Sequence, residues 1–121
     1  MRHRILIVIA LAAAAIAPSA WAKGAAEQKI SECITLSSEH SAARVGSNGM
    51  VVRDGEANYQ LDFGETCMAT TLSSRVTIAT DKNVNVICPS GSKVSARNRH
   101  CPIRKVTAIS AEAYDRRARR R

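Results

Sequence analysis

Four cysteines, Cys33, Cys67, Cys88 and Cys101, constrain this chain more than any other feature. All four follow an apolar N-terminal segment with the marks of an export signal. The compartment they imply is oxidising, and their even number reads as two disulfides. Four cysteines allow three pairings. The expected one is Cys33–Cys67 with Cys88–Cys101, because each bond then closes one contiguous stretch of strands. In the chain-entropy description such loops would contribute about 4 and about 3 kcal/mol. Zinc ligation fits poorly, since paired zinc ligands usually lie two to four residues apart so that one turn aims both at the ion. The intervals here are 34, 21 and 13 residues, and His100 beside Cys101 is the only His/Cys neighbour pair. No metal and no cofactor is expected.

The export signal occupies residues 1–22. Arg2, His3 and Arg4 form a positive start, Ile5 to Ala17 is an uncharged apolar run, and Ala20-Trp21-Ala22 has the small-x-small form of a signal-peptidase site. A run of 13 residues is short for the roughly 20 needed to span a bilayer as a helix. A mature, periplasmic or secreted protein is therefore expected to start at Lys23. It keeps 99 of the 121 residues, and its only aromatics are Tyr59, Phe63 and Tyr114. A single thin core is all such a chain can build, and disulfides would supply much of its stability.

The predicted fold is mainly β: a small antiparallel barrel or sandwich of five to seven strands, stapled by two disulfides, with short flexible or helical termini. Residues 23–32 are expected to be a frayed helix or a loose lead-in, residues 33–110 the β domain, and residues 111–121 an arginine-rich tail. Ala42–Gly46 and Met50–Arg53 flank Ser47-Asn48-Gly49, where Asn-Gly signals a tight turn. Asp54-Gly55 is a second turn signal. It leads into Glu56–Phe63, where Tyr59, Leu61 and Phe63 alternate and so share one face. Gly64–Ser74 reads as loop. Arg75–Thr80 is a fourth strand, turned by Asp81-Lys82-Asn83 into a fifth along which Val84, Val86 and Cys88 alternate. Pro89-Ser90-Gly91-Ser92 ends that strand, and polar Lys93–His100 reads as a flexible arm. Pro102–Ser110 is the last strand.

No catalytic motif is present: there is no G-x-S-x-G, no H-E-x-x-H and no phosphate-cradling glycine loop. His40 beside Glu39 and Ser41, His100, and the carboxylates Asp62 and Glu65 are the residues from which a small hydrolase could be drawn. They are expected to be ordinary surface groups, so no catalytic residue is assigned. Charge is more informative. The chain holds 18 Lys+Arg against 10 Asp+Glu, but Arg116, Arg117, Arg119, Arg120 and Arg121 crowd into its last six positions. Without them and the signal, the balance is 11 against 10. Five arginines so close together repel one another, and a solvated, mobile end is expected. Arginine forks pair with phosphate and carboxylate. The tail is therefore the candidate contact with anionic envelope components (lipid head groups or lipopolysaccharide) or with another envelope protein. Export and the scarcity of aromatic stacking platforms argue against nucleic acid.

Cys33-Ile34-Thr35-Leu36, Tyr59 with Leu61 and Phe63, Cys67, Ile87-Cys88, and Cys101-Pro102-Ile103 with Val106 and Ile109 together resemble a family of small exported bacterial four-cysteine proteins, a domain of unknown function. The resemblance spans about three quarters of the mature chain. It implies cysteine-stapled β structure in a Gram-negative envelope and no catalytic residue. The stretch Ser47-Asn48-Gly49-Met50 departs from that family, where a more acidic, arginine-bearing hairpin is expected. Small periplasmic inhibitors of lysozyme are similar in being disulfide-stapled β-barrels with a strand like Ala57-Asn58-Tyr59-Gln60-Leu61. Their S-G-x-x-Y inhibitory loop is missing here, and inhibition of a cell-wall lytic enzyme is the alternative function.

Overall fold

The computed structural model describes residues 27–73 and 75–119. The expected signal at residues 1–22, the first residues of the mature chain, and Arg120 and Arg121 lie outside them. The elements in order are β1 (Gln28–Lys29), β2 (Ile34–Thr35), β3 (Ser41–Val45), β4 (Gly49–Asp54), β5 (Ala57–Asp62), α1 (Met68–Leu72), β6 (Thr77–Thr80), β7 (Val86–Ile87), β8 (Ser92–Ala96), β9 (Arg99–Pro102), β10 (Lys105–Ala108) and α2 (Ala111–Arg119).

The predicted antiparallel β fold is what forms, as open sheets rather than a closed barrel. A five-stranded sheet has the order β1-β10-β5-β4-β3, a three-stranded sheet β6-β8-β9, and β2 pairs with β7. The main core lies between the large sheet and the two smaller ones. Met50, Val52, Leu61, Phe63 and Val106 meet Ile78, Ile87, Val94 and Cys101 there. Alternation along β5 does what it predicts: Leu61 and Phe63 are buried in this core and Tyr59 packs against it. Val51, between Met50 and Val52, points the other way into a second cluster with Ile109, Ala113 and Tyr114 of the C-terminal segment.

The disulfides join Cys33 to Cys88 and Cys67 to Cys101, so the expected pairing of contiguous neighbours is wrong. Strand pairing decides the matter. Ile34 lies opposite Ile87 in the β2–β7 ladder, which sets Cys33 and Cys88 opposite each other one position further on. Cys67 immediately precedes α1 and Cys101 lies in β9, two elements that pack together. The two loops, with sequence separations of 55 and 34, interleave instead of following one another. In the chain-entropy description each contributes about 4 kcal/mol.

Several other expectations shift. The β3–β4 hairpin forms with its turn one position earlier than expected: Gly46, Ser47 and Asn48 make it, Gly46 taking a positive φ of 63°, and Gly49 already belongs to β4. Gly49 instead starts β4 in a crowded place, where an added Cβ would come within 2.9 Å of Gln60 Nε2 and 3.3 Å of the Leu61 carbonyl oxygen. Residues 64–74, read as loop, contain α1, whose buried Ala69 joins the core. The predicted turn at Asp81-Lys82-Asn83 forms, but β6 meets the segment after it only through the Ala79–Val84 bridge and the Asn85 N–H donating to the Ile78 carbonyl at 2.7 Å. Its ladder partner is β8, and β7 pairs with β2. The polar arm Lys93–His100 lies mostly in the β8–β9 hairpin. Val94 and Ala96, small apolar residues at alternate positions, supply its buried face. Part of the lead-in, Gln28–Lys29, pairs with β10 as an edge strand.

Residues 111–119 form α2 rather than a solvated end. Ser110 caps it, its Oγ accepting a hydrogen bond from the Ala113 amide at 3.0 Å. Ala113 and Tyr114 are buried and Ala118 packs beside them, so α2 lies on the face of the large sheet opposite the main core. Arg53 of β4 holds it there. Its guanidinium donates to the Ala111 carbonyl at 3.2 Å and to Asn58 Oδ1 at 2.8 Å, pairs with Asp115 at 3.1 Å, and stacks 4.1 Å from the Tyr114 ring centre. Mutual repulsion does not decide the outcome for the arginine run, because one apolar stripe and one cross-chain cation oppose it. An Arg53→Lys substitution keeps the charge but loses the planar fork and its stacking. It should destabilise the protein by about 1–2 kcal/mol, read as a lowered denaturant midpoint. Arg53→Met should cost no less.

Candidate functional site

The arginines assigned to the tail separate once α2 forms. Arg117 turns toward the sheet: it donates to Gln60 Oε1 at 3.2 Å and forms a salt bridge with Glu27. Arg116 and Arg119 are exposed, three positions apart on the helix, and neither has a salt-bridge partner among the described residues. Three basic residues in the last turn also suit the negative end of the helix dipole. One of the five arginines is thus a structural clamp, and two are available to solvent.

A second cationic region was not expected from the sequence. The β8–β9 hairpin closes with a two-residue turn, Arg97-Asn98, since Ala96 pairs with Arg99. Arg97 has a positive φ of 55°. The β4–β5 hairpin is built the same way, Asp54 pairing with Ala57, and there the equivalent first position is Gly55, with a φ of 60°. Left-handed backbone costs a residue with a side chain roughly 1–2 kcal/mol, which is why glycine is usual at this position. Beside this turn, α1 exposes Met68 and Leu72, one helical turn apart. The hollow between α1 and the turn is about 440 Å³ and is lined by Met68, Leu72, Ala96, Arg97 and Arg99. A second hollow of about 290 Å³ continues from it along β9, with Phe63, Glu65 and Thr66 opposite Asn98 to Pro102. Met68, Asn98 and Arg99 border both, so they form one bent groove.

The residues from which catalysis could be drawn fall in three places. Ser37 donates its backbone N–H and its hydroxyl to the Asp54 carboxylate, and the Nδ1–H of His40 donates to the Ser37 carbonyl at 2.7 Å. The serine hydroxyl thus faces the aspartate and not the imidazole, the reverse of a Ser-His-Asp relay. Ser41 is in β3, away from this hydrogen-bonding set. His100 Nδ1 is hydrogen-bonded to Ser95 Oγ at 2.8 Å across the β8–β9 ladder. No hydrogen bond joins His100 to a carboxylate among the described residues. Asp62 accepts from Gln60 on the sheet face that carries α2, whereas Glu65 lines the groove, so the two carboxylates do not form a pair. All four cysteines are in disulfides, and no cluster of three or more His, Cys, Asp or Glu residues suited to a metal occurs among the described residues.

Comparison with protein-family models, with curated proteins and with solved structures finds no match.

The hydrogen bonds from Ser37, first from its hydroxyl and then from its backbone, hold the Asp54 carboxyl below its ordinary value, with a smaller contribution from His40. A carboxyl lowered on folding stabilises the protein above its unfolded value and loses that contribution as pH falls through the folded value. Asp54→Asn should therefore be less stable than the parent protein at neutral pH. The gap should narrow as acidification passes the ordinary aspartate value of 3.8 and close below the lowered folded one, as followed by denaturant unfolding at each pH. At the strained turn, Arg97→Gly should raise stability by about 0.5–1 kcal/mol, seen as a melting temperature higher by a few degrees.

Proposed function

We propose that this protein is an exported, non-catalytic binding module of the cell envelope, and that its arginine-rich C-terminus contacts anionic envelope components such as lipid head groups or lipopolysaccharide phosphates. The observation that carries the reading is the partition of charge on α2. Arg117 is engaged with Gln60 and Glu27, while Arg116 and Arg119 stand exposed without salt-bridge partners among the described residues. Arg120 and Arg121 extend the run in sequence. An anionic surface attracts each nearby arginine by about 1 kcal/mol, screened by salt. The remainder of the mature chain is almost neutral, so this end dominates long-range attraction.

Two disulfides support the oxidising setting that the apolar leader implies. Among the described residues no helix is long and apolar enough to cross a membrane. Contact with the envelope on this reading is peripheral, made by a folded domain that presents its helix end.

Vesicle sedimentation tests the proposal. The chain from Lys23 should bind vesicles containing phosphatidylglycerol and not neutral phosphatidylcholine vesicles, with binding that weakens as salt rises. Replacing Arg116, Arg119, Arg120 and Arg121 with glutamate should abolish binding while the thermal transition stays cooperative. Arg117 is left in place so that the helix stays docked. Undiminished binding by that variant would overturn the reading.

A further inference from the structure

We propose that the groove along β9 is a docking site for an extended acidic polypeptide segment, which adds to the open edge of β9 and places a carboxylate at Arg97 and Arg99. Five residues in unbroken succession, Asn98 to Pro102, line the hollow on this side. Side chains alternate between the two faces of a strand, so a hollow lined by every residue in turn follows the edge of a sheet and not one of its faces. β9 is the last strand of its sheet, and β8 is its only strand partner among the described residues. Ile103 donates its N–H to the Ser92 carbonyl inside the sheet, so His100 and Pro102 face the open edge. Pro102 has no N–H, and an extended chain pairs there through the N–H and carbonyl of His100, with neighbouring pockets selecting its side chains.

Charge and shape say what kind of segment fits. Arg97 and Arg99 are exposed and unpaired in salt bridges among the described residues; Arg99 borders both hollows and Arg97 the one beside α1. Guanidinium forks at such a place suit carboxylates. Met68 and Leu72 offer an adaptable apolar wall next to them, enough to seat one or two side chains. Glu65 lines the hollow along β9 and not the one beside the turn, so it disfavours a second acid there and gives the segment a direction. The backbone at Arg97 bears on the same point. The chain uses glycine at the equivalent position of the β4–β5 turn, but at the turn bordering the groove it keeps an arginine in a left-handed conformation. Non-glycine residues held this way concentrate at ligand-contacting sites.

This site is independent of the vesicle reading, because α2 lies on the opposite face of the large sheet. Random peptides of about eight residues, displayed against the full disulfide-bonded chain, provide the probe. The selected sequences should carry Asp or Glu toward one end beside an apolar residue. They should bind an Arg97→Gly, Arg99→Ser variant at least about tenfold more weakly. Arg97→Gly is expected to stabilise the fold, and an undiminished melting temperature of the double variant separates lost binding from unfolding. Methylating alternate backbone amides of a selected peptide should abolish binding in one register only, and the Arg116→Glu, Arg119→Glu variant should bind the peptides undiminished. The proposal fails if no peptide is enriched, if enriched peptides lack acidic residues, if the groove variant binds them equally well, or if methylation has no effect in either register. It also fails if the groove variant loses vesicle binding instead of peptide binding.

Discussion

Covalent cross-linking compensates here for a core with few large side chains. Among the described residues Phe63 is the only fully buried aromatic ring, and most of its companions are valine, isoleucine and leucine. A domain of this size, built from many short strands, buries too little apolar surface to be secure on packing alone. The two disulfides interleave, so neither can be treated as closing a private loop. One extends the β2–β7 ladder, and the other fixes the residue before α1 to β9. Opening either would loosen elements that the other also restrains. The consequence reaches the surface as well. The walls of the groove, α1 on one side and β9 on the other, are joined by the Cys67–Cys101 bond. A groove held open covalently needs little ordering when it binds, and that reduces the entropy cost of association.

The second organising contact is electrostatic and works from the other face. Val51 faces α2 while its neighbours Met50 and Val52 face the main core, so β4 is buried on both sides. That placement requires something to cover the outer face, and α2 does so with only Ala113, Tyr114 and Ala118 as apolar groups. A stripe this small gives limited hydrophobic stabilisation. Arg53 adds hydrogen bonds, an ion pair and ring stacking at a single point, with Arg117 holding the next helical turn. Exposed ion pairs of this kind contribute little one at a time. Several sharing one partially buried guanidinium, with a ring beneath it, contribute more than the isolated pair.

What could be read from the sequence follows the range of the interactions concerned. The alternation Tyr59, Leu61, Phe63 and the Asp54-Gly55 turn are local signals, and both correspond to what forms. The Asn48-Gly49 signal marked a hairpin that forms, but its turn sits one position earlier, because Gly49 is needed for close packing against Gln60 and Leu61, a contact between strands that a dipeptide cannot announce. The β8–β9 hairpin was missed for two reasons. Its buried face is only Ser92, Val94 and Ala96, and its turn carries arginine where glycine would have marked it. α2 was hidden by its own charge, since the groups that neutralise and cover it, Arg53, Gln60 and Glu27, lie more than fifty residues away. Cysteine count and spacing likewise leave the pairing open, because strand partners decide it. The candidate groove depends on all of these at once, and so none of it was visible.

Once the fold is known, the distribution of positive charge takes on a different meaning. By sequence the arginines at the C-terminus form one cluster, and the remaining basic residues seem evenly scattered. In the fold, Arg53 and Arg117 are internal fasteners, and two pairs of exposed arginines stand on opposite sides of the large sheet: Arg116 and Arg119 on α2, and Arg97 and Arg99 at the β8–β9 turn, while exposed cations such as Arg44, Arg75 and Arg104 lie singly elsewhere. A flat anionic surface that binds one group leaves the other turned away from it. Two faces that could bind different partners at the same time are a property of the three-dimensional arrangement, since the charges of each pair lie close together and the sheet stands between the pairs. Outside residues 1–22 and the five C-terminal arginines, basic and acidic residues are nearly balanced, 11 against 10, so neither pair is swamped by a general positive field.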